Sequence, residues 1–318
     1  MVSIIICFYE EYEYIGLALN SIRNQIYKSI EIILIDDSNL KINTKLLKIL
    51  ENFKDLKIIY HKNEFNLGLA KSRNLGIKLS KGDYICFLDS DDEYLPNKIN
   101  TQYNKIKSKK YDLVYCKETV LKNGIYYDRN CNRSFNLEIL LKNQFINLNT
   151  LLINKNLIED NDIYFNQSEE SRYGEDLEYL IKLRTKTDNI FFINEYLTIS
   201  RRRKGNHRNY QNLYKELEKL EILYDEYSNN KSFNIYRTII EEKKIDIKFK
   251  KCISYKIINS KKEYKSTYNK VYKNLSLKRK FILNILRFIP YQILSFVICY
   301  IYPYYNHKIN YFVVKIND

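Results

Sequence analysis

Val2–Phe8 (VSIIICF) is an unbroken apolar run rich in β-branched residues, the pattern of a strand buried on both faces. Ile15, Leu19, Ile22 and Ile26 then recur at helical spacing. EIILI (31–35) predicts a second strand, ending at Asp36-Asp37. A helix over 44–53 leads to a third strand at 56–61, and 66–80 reads as another helix. A fourth strand over 84–88 ends at Asp89, and YDLVYC (111–116) predicts a fifth. This βαβαβαβ order predicts an α/β fold with a mostly parallel sheet and right-handed crossovers. Ligands of such sheets sit in the crevice beyond the carboxyl ends of the strands. Two strands here end in acid pairs, Asp36-Asp37 and Asp89/Asp91, and the topology brings both toward one edge.

Composition narrows the class. At 318 residues the chain holds one large domain or two modest ones, and 45% apolar with 14% aromatic content marks it as globular. Seven Gly and three Pro leave no flexible linker or collagen-like tract, and no internal repeat is visible. The six cysteines (Cys7, Cys86, Cys116, Cys131, Cys252, Cys299) show no metal spacing. Cys7, Cys86 and Cys116 fall inside strand-like runs, where Cys serves as a small core residue. Met1 leads straight into the first strand with no signal peptide, so a reducing cytoplasm is the expected compartment.

Charge divides the chain. Residues 1–200 carry 27 Lys and Arg against 28 Asp and Glu, while 201–318 carry 26 against 10. The net charge of +15 therefore belongs to the C-terminal third, which suggests an anionic partner for it. Residues 206–275 look helical and charged. Beyond them, 288–305 has no formally charged residue but includes Pro290 and Pro303. Its length is borderline against the roughly 20 apolar residues of a transmembrane helix. Basic residues flanking an apolar aromatic stretch suit a segment lying on an anionic bilayer, here 276–305; a helix hairpin packed on the preceding domain is the plainer alternative.

The stretch FLDSDDEY (87–94) clusters four acids behind a strand. Close carboxylates stay ionised together only when a cation or a donor network compensates, and oxygen ligands suit Mg²⁺ or Mn²⁺. An EF-hand starting at Asp89 fails, because Tyr94 stands where Gly is needed and Asn100 where Glu is needed. A phosphatase nucleophile would follow the first strand, and no GxGxxG follows it to bind a dinucleotide. A DxD that presents a metal to nucleotide phosphates remains. Asp92 and Glu93 read as caps of the following turn.

NLGLAKSRNLGIKLSKGDYICFLDSDDEYLP (66–96), with residues 2–38, closely resembles the N-terminal half of family 2 glycosyltransferases. The resemblance continues at YGEDLEYLIKL (173–183) and YLTISRRRKGNH (196–207). It implies a GT-A catalytic domain over 1–207, with a nucleotide-binding sheet flanked by helices, and a basic helical region over 208–318. It further implies transfer of a sugar from a UDP-sugar to a hydroxyl with inversion, as in bacterial lipooligosaccharide and capsule transferases. The glycan or glycolipid acceptor would be met peripherally, at the inner face of the cytoplasmic membrane. By this resemblance Asp37 hydrogen-bonds the uracil, Tyr9 stacks near it and Asp36 supports the pocket. Asp89 faces the ribose, Asp91 ligates Mn²⁺ or Mg²⁺ beside Asp89, Arg73 contacts the nucleotide, and Asp176 is the general base with Glu175 its competitor. Where the family has Pro-x-Tyr-Asn after the first strand, this chain has Cys7-Phe8-Tyr9-Glu10, which puts the uridine preference in question.

Plainer readings stand beside these. Asp36-Asp37 alone suits a turn or helix cap, and Asp176 a first-turn acid favoured by the helix dipole. Arg201–Lys204 is a solvated run, or it closes over the diphosphate or an anionic acceptor, as does His207. Two further functions fit the composition: a nucleic-acid binder using the basic third, and a non-catalytic sugar-nucleotide-binding subunit. Nucleic acid is disfavoured, because it leaves the acidic strand ends without a purpose and no RNA-binding or zinc pattern appears.

Overall fold

The first apolar run forms strand β1 (Val2–Phe8), with the predicted boundaries. The structure, a computed structural model, describes residues 1–128, 135–142, 146–168, 174–202, 210–257 and 260–288. The expectations placed on 289–305, on Arg203, Lys204 and His207, and on Tyr173 lie outside the described residues.

Helix α1 (Ile15–Arg23) leads to β2 (Ile30–Asp36), and α2 (Thr44–Leu50) to β3 (Ile58–Lys62). Helix α3 (Leu69–Leu79) starts three residues later than predicted and is followed by β4 (Tyr84–Phe87). Then come the two-residue β5 (Glu93–Tyr94) and α4 (Lys98–Lys109). The predicted fifth strand is β6 (Leu113–Lys122), lengthened by its partners, and β7 (Ile125–Asp128) folds back on it. After α5 (Leu137–Lys142) come β8 (Leu151–Asn154), α6 (Lys155–Asp160), α7 (Glu175–Lys186) and β9 (Ile190–Arg202). The helices α8 (Tyr210–Asn229), α9 (Arg237–Ile257), α10 (Lys261–Val271) and α11 (Leu277–Phe288) follow.

Among the described residues one nine-stranded sheet runs β3-β2-β1-β4-β8-β6-β9-β5, with β7 on β6. β8 is antiparallel to both β4 and β6, so β1, β2, β3, β4, β6 and β9 all point one way. The sheet is therefore mostly parallel by direction. Alternation splits its side chains between two cores. Ile4, Ile6 and Phe8 pack with Ile15 and Leu19 of α1 and Ile99 of α4. Ile5, Ile33 and Phe87 face α3 and α7, and the same core takes in Leu217, Tyr224, Ile240 and Ile247 from α8 and α9. Phe249, Cys252, Val271 and Leu283 form a separate small cluster from α9 to α11. Among the described residues no helix is long and apolar enough to cross a membrane.

Register sets the site. Phe8 pairs with Asp36, Asp36 with Lys62, and Ile5 with Phe87. The residues just beyond the ends of β1, β2, β3 and β4 thus share one edge.

Candidate active site

Asp36 closes β2 fully buried, its carboxylate accepting from the Tyr60 hydroxyl at 2.9 Å and the Ser38 amide at 3.0 Å. Lys62 lies 4.0 Å away and donates to the Ser38 and Asn63 carbonyls. Asp37, also buried, grips the loop after β3. Its Oδ1 accepts from Asn63 Nδ2 and the Leu67 amide, both at 2.7 Å, and its Oδ2 from the Gly68 amide at 2.9 Å. Gly68 has a φ of +84°, the left-handed region that favours glycine. That capture explains why α3 begins late: Asn66–Gly68 are spent on the loop.

The SRN stretch on α3 then pins three segments with three consecutive side chains. The Ser72 hydroxyl accepts from Asn63 Nδ2 at 3.0 Å. Arg73, only 4% exposed, donates from Nη1 to Asp176 Oδ1 at 2.5 Å and from Nη2 to Asp89 Oδ1 at 3.2 Å. Asn74 exchanges two hydrogen bonds with the Phe165 backbone, at 2.8 and 2.9 Å. Burial disfavours the guanidinium's charge, but Asp176 and Asp89 outweigh it and raise the Arg73 pKa above the arginine range.

The acid cluster divides in two. Asp89 sits at the edge with its side chain 39% exposed, bonded to Arg73 and, through amide and carboxylate, to Asn149. Burial raises its pKa against the pull of Arg73. Asp91 is half-buried. Asp92 and Glu93 do not cap the next turn; they hold the end of β9. Asp92 accepts from Asn149 Nδ2 at 2.6 Å, the Ser200 hydroxyl at 3.0 Å and the Arg201 amide at 2.7 Å. Glu93 pairs with the Arg201 guanidinium, so Arg201 is no solvated charge. Burial, with Asp89 and Asp91 nearby, pushes the Asp92 carboxyl well above its usual range. The Ser200 hydroxyl also meets Glu118, so the two acids converge on one strand-end hydroxyl.

Across the edge, Gly174 adopts a φ of +105° before α7, where a Cβ would come 3.1 Å from Leu220. That turn presents Glu175 and Asp176 in the first turn of α7, with Asp176 against Arg73. Burial and the neighbouring Asp176 push Glu175 up to about 7. Tyr9 is 43% exposed, its hydroxyl accepting from Asn39 at 3.3 Å. Glu10 holds a φ of +63°, and Glu11 accepts from the Tyr9 amide and the Ser90 hydroxyl, tying the β1 loop to the acid cluster.

The sequence profile of glycosyl transferase family 2 matches residues 3–165, just over half of the chain. The chain belongs to this family. Over 130 residues it is 36% identical to the UDP-Glc:α-D-GlcNAc-diphosphoundecaprenol β-1,3-glucosyltransferase WfaP of Escherichia coli, covering 40% of this chain and 51% of that protein. The chain thus spans about half the length of WfaP. It is 29% identical over 237 residues to WfgD of Escherichia coli, which carries the same enzyme name, covering 74% of this chain and 90% of WfgD. The fold matches Staphylococcus aureus TarS 1–349 in complex with UDP-GlcNAc at a TM-score of 0.65 and 18% identity, over 92% of this chain and 88% of that one. The protein is a family 2 glycosyltransferase with the GT-A fold.

For this glycosyltransferase Asp36, Asp37, Arg73, Asp89 and Asp176 share the edge, with Tyr9 on the loop after β1 and Glu175 beside Asp176. Asn63, Asn149, Glu118 and Ser200 are the network members that sequence reading missed. Asn and Ser are common types, and their partners lie up to 108 residues away. Among the described residues no three His, Cys, Asp or Glu side chains form a metal cage. Asp89 and Asp91 nevertheless fit a hard cation that takes one or two carboxylates and completes its shell from phosphate and water.

Proposed function

We propose that this glycosyltransferase moves a sugar from a UDP-sugar, with inversion, onto a hydroxyl of a lipid-linked glycan precursor at the inner face of the cytoplasmic membrane. The observation that carries the reading is the meeting of Asp36-Asp37, Asp89 and Asp176 at one sheet edge, with Arg73 between the last two. The names of WfaP and WfgD support a UDP-linked donor and a diphosphate-lipid acceptor.

The nucleoside would lie along the loop that Asp37 organises, with Tyr9 as the exposed ring beside it. Bound at Asp89 and Asp91, Mn²⁺ or Mg²⁺ would stabilise the charge developing on the departing diphosphate. Asp176 takes the proton of the acceptor hydroxyl as that oxygen bonds to the anomeric carbon, and the bond to the diphosphate breaks with its electron pair leaving on UDP. Glu175 is the second reading for the base, favoured by a pKa of about 7, near the working pH.

The membrane face is supported by α11, where Leu277 and Phe281 stand 86% and 66% exposed one turn apart beside Lys280. Several cations are instead paired internally: Lys244 of α9 with Asp225 of α8, Lys248 and Lys251 of α9 with Glu221 of α8, and Arg279 with Asp246.

The test is transfer from radiolabelled UDP-glucose to a GlcNAc-diphosphate lipid with Mn²⁺ present. The variant of the true base, Asp176→Asn or Glu175→Gln, should lose roughly 10²–10⁴-fold in kcat while the other keeps most activity. Full activity in Asp91→Ala would refute the metal assignment.

A further inference from the structure

We propose that Arg73 is a positioning residue for the transfer: its buried guanidinium ties Asp176 to Asp89, so the proton acceptor and the donor-side acid keep one separation before either substrate arrives. The inference rests on the reading of Asp176 as base given above. It assigns Arg73 a different task from a contact to the nucleotide.

Three observations carry it. Each terminal nitrogen of Arg73 already donates to an acid, Nη1 to Asp176 at 2.5 Å and Nη2 to Asp89 at 3.2 Å, and the residue is almost closed to solvent. Its seat is also stiff. The guanidinium lies over the Phe165 ring at 5.3 Å, Phe165 stacks on Tyr179 at 4.0 Å and 5°, and Phe87 meets both rings edge-on. Tyr179 is one turn beyond Asp176 on α7, so one helix supplies both the carboxylate and part of the floor beneath the arginine. Finally, Ser72 and Asn74 anchor α3 on either side of Arg73, to Asn63 and to the Phe165 backbone. Swinging the guanidinium toward a ligand would break two charge-assisted hydrogen bonds and leave two acids facing each other uncompensated.

The geometry also says why arginine is used. A planar fork offers two parallel donors to two separate carboxylates, whereas a lysine ammonium is a point charge that follows one or the other. Displacing a reacting group by about 1 Å costs on the order of 10²-fold in rate.

The experiment uses the full chain with Arg73→Lys and Arg73→Gln, each alone and combined with Asp176→Asn. Three quantities are read: melting temperature, UDP affinity with Mn²⁺ by calorimetry, and kcat from UDP-glucose to the GlcNAc-diphosphate lipid. Asp176→Asn should lower the melting temperature of the wild-type chain, and by less than half as much in Arg73→Gln. UDP affinity should change by less than about threefold, while kcat falls about 10²-fold in both variants with no rescue by lysine. Additive melting losses, UDP affinity falling about tenfold or more, or wild-type kcat in Arg73→Lys would each overturn the proposal. Should the wild-type chain take neither UDP nor UDP-glucose, the donor reading fails. The melting cycle still decides the tie: coupled losses support it and additive losses overturn it.

Discussion

At the scale of single residues, the site works by setting neighbouring carboxylates in different surroundings. Asp176 faces the Arg73 guanidinium, while Glu175, one position earlier, is pushed up to about 7 by burial and by Asp176. A carboxylate whose folded pKa exceeds its unfolded one stabilises the fold fully below the unfolded value. That contribution is lost as pH rises through the folded value. Glu175→Gln should therefore change stability little near pH 4 and raise it increasingly up to pH 8, by on the order of 3 kcal/mol, read as a melting temperature that climbs with pH. A gain that stays flat with pH would mean Glu175 is not held near 7. The residue types of the site were legible from the motifs, because acid pairs stand directly behind two apolar strands whose ends the topology brings to one edge. Asp92 and Glu93 were misjudged as turn caps. The reason is physical: the partners that hold them, Ser200 and Arg201, are supplied by a strand 108 residues away.

Elements translate those residues into geometry, and α3 carries most of the load. It packs so closely on β1 that a Cβ on Gly76 would fall 2.4 Å from Ile5 Cγ2. Alanine in a helix interior is favoured over glycine by about 1 kcal/mol, but overpacking a tight core costs about 1–3 kcal/mol. The clash should win. Gly76→Ala is expected to lower stability in urea and to lower kcat as Arg73 and Asn74 shift with the helix. A more stable variant would show that α3 can yield. Strands β1 to β4 could be read from sequence because each is a short apolar run bounded by polar residues. β5 could not, being only two residues long. β9 mixes Asn, Glu, Thr and Arg into its run, and its strand character comes from pairing with β6 over ten residues.

For the whole molecule, charge and shape separate two ends. The N-terminal sheet edge holds the acids, and α10–α11 holds cations with two exposed apolar side chains. The full chain should co-sediment with vesicles containing anionic lipid, and the double variant Leu277→Ser, Phe281→Ser should release it without altering UDP affinity. Equal sedimentation of both proteins would remove α11 from the membrane reading. Composition already pointed to this end of the chain. It did not reveal that α8 and α9 share the main core with the sheet, because helical amphipathicity does not say which surface a helix will cover.

The long reach of the site's contacts bears on how the protein is made. Arg73 meets Asp176 across 103 residues, and Asp92 meets the Arg201 amide across 109. Such distant pairings are slow to form, and a chain emerging from the ribosome cannot make the first until α7, or the second until β9, has left the exit tunnel. Until β9 is out, Asp92 lacks the Ser200 and Arg201 groups that hold it. The last strand of the sheet is therefore also the one that completes the acid cluster's surroundings.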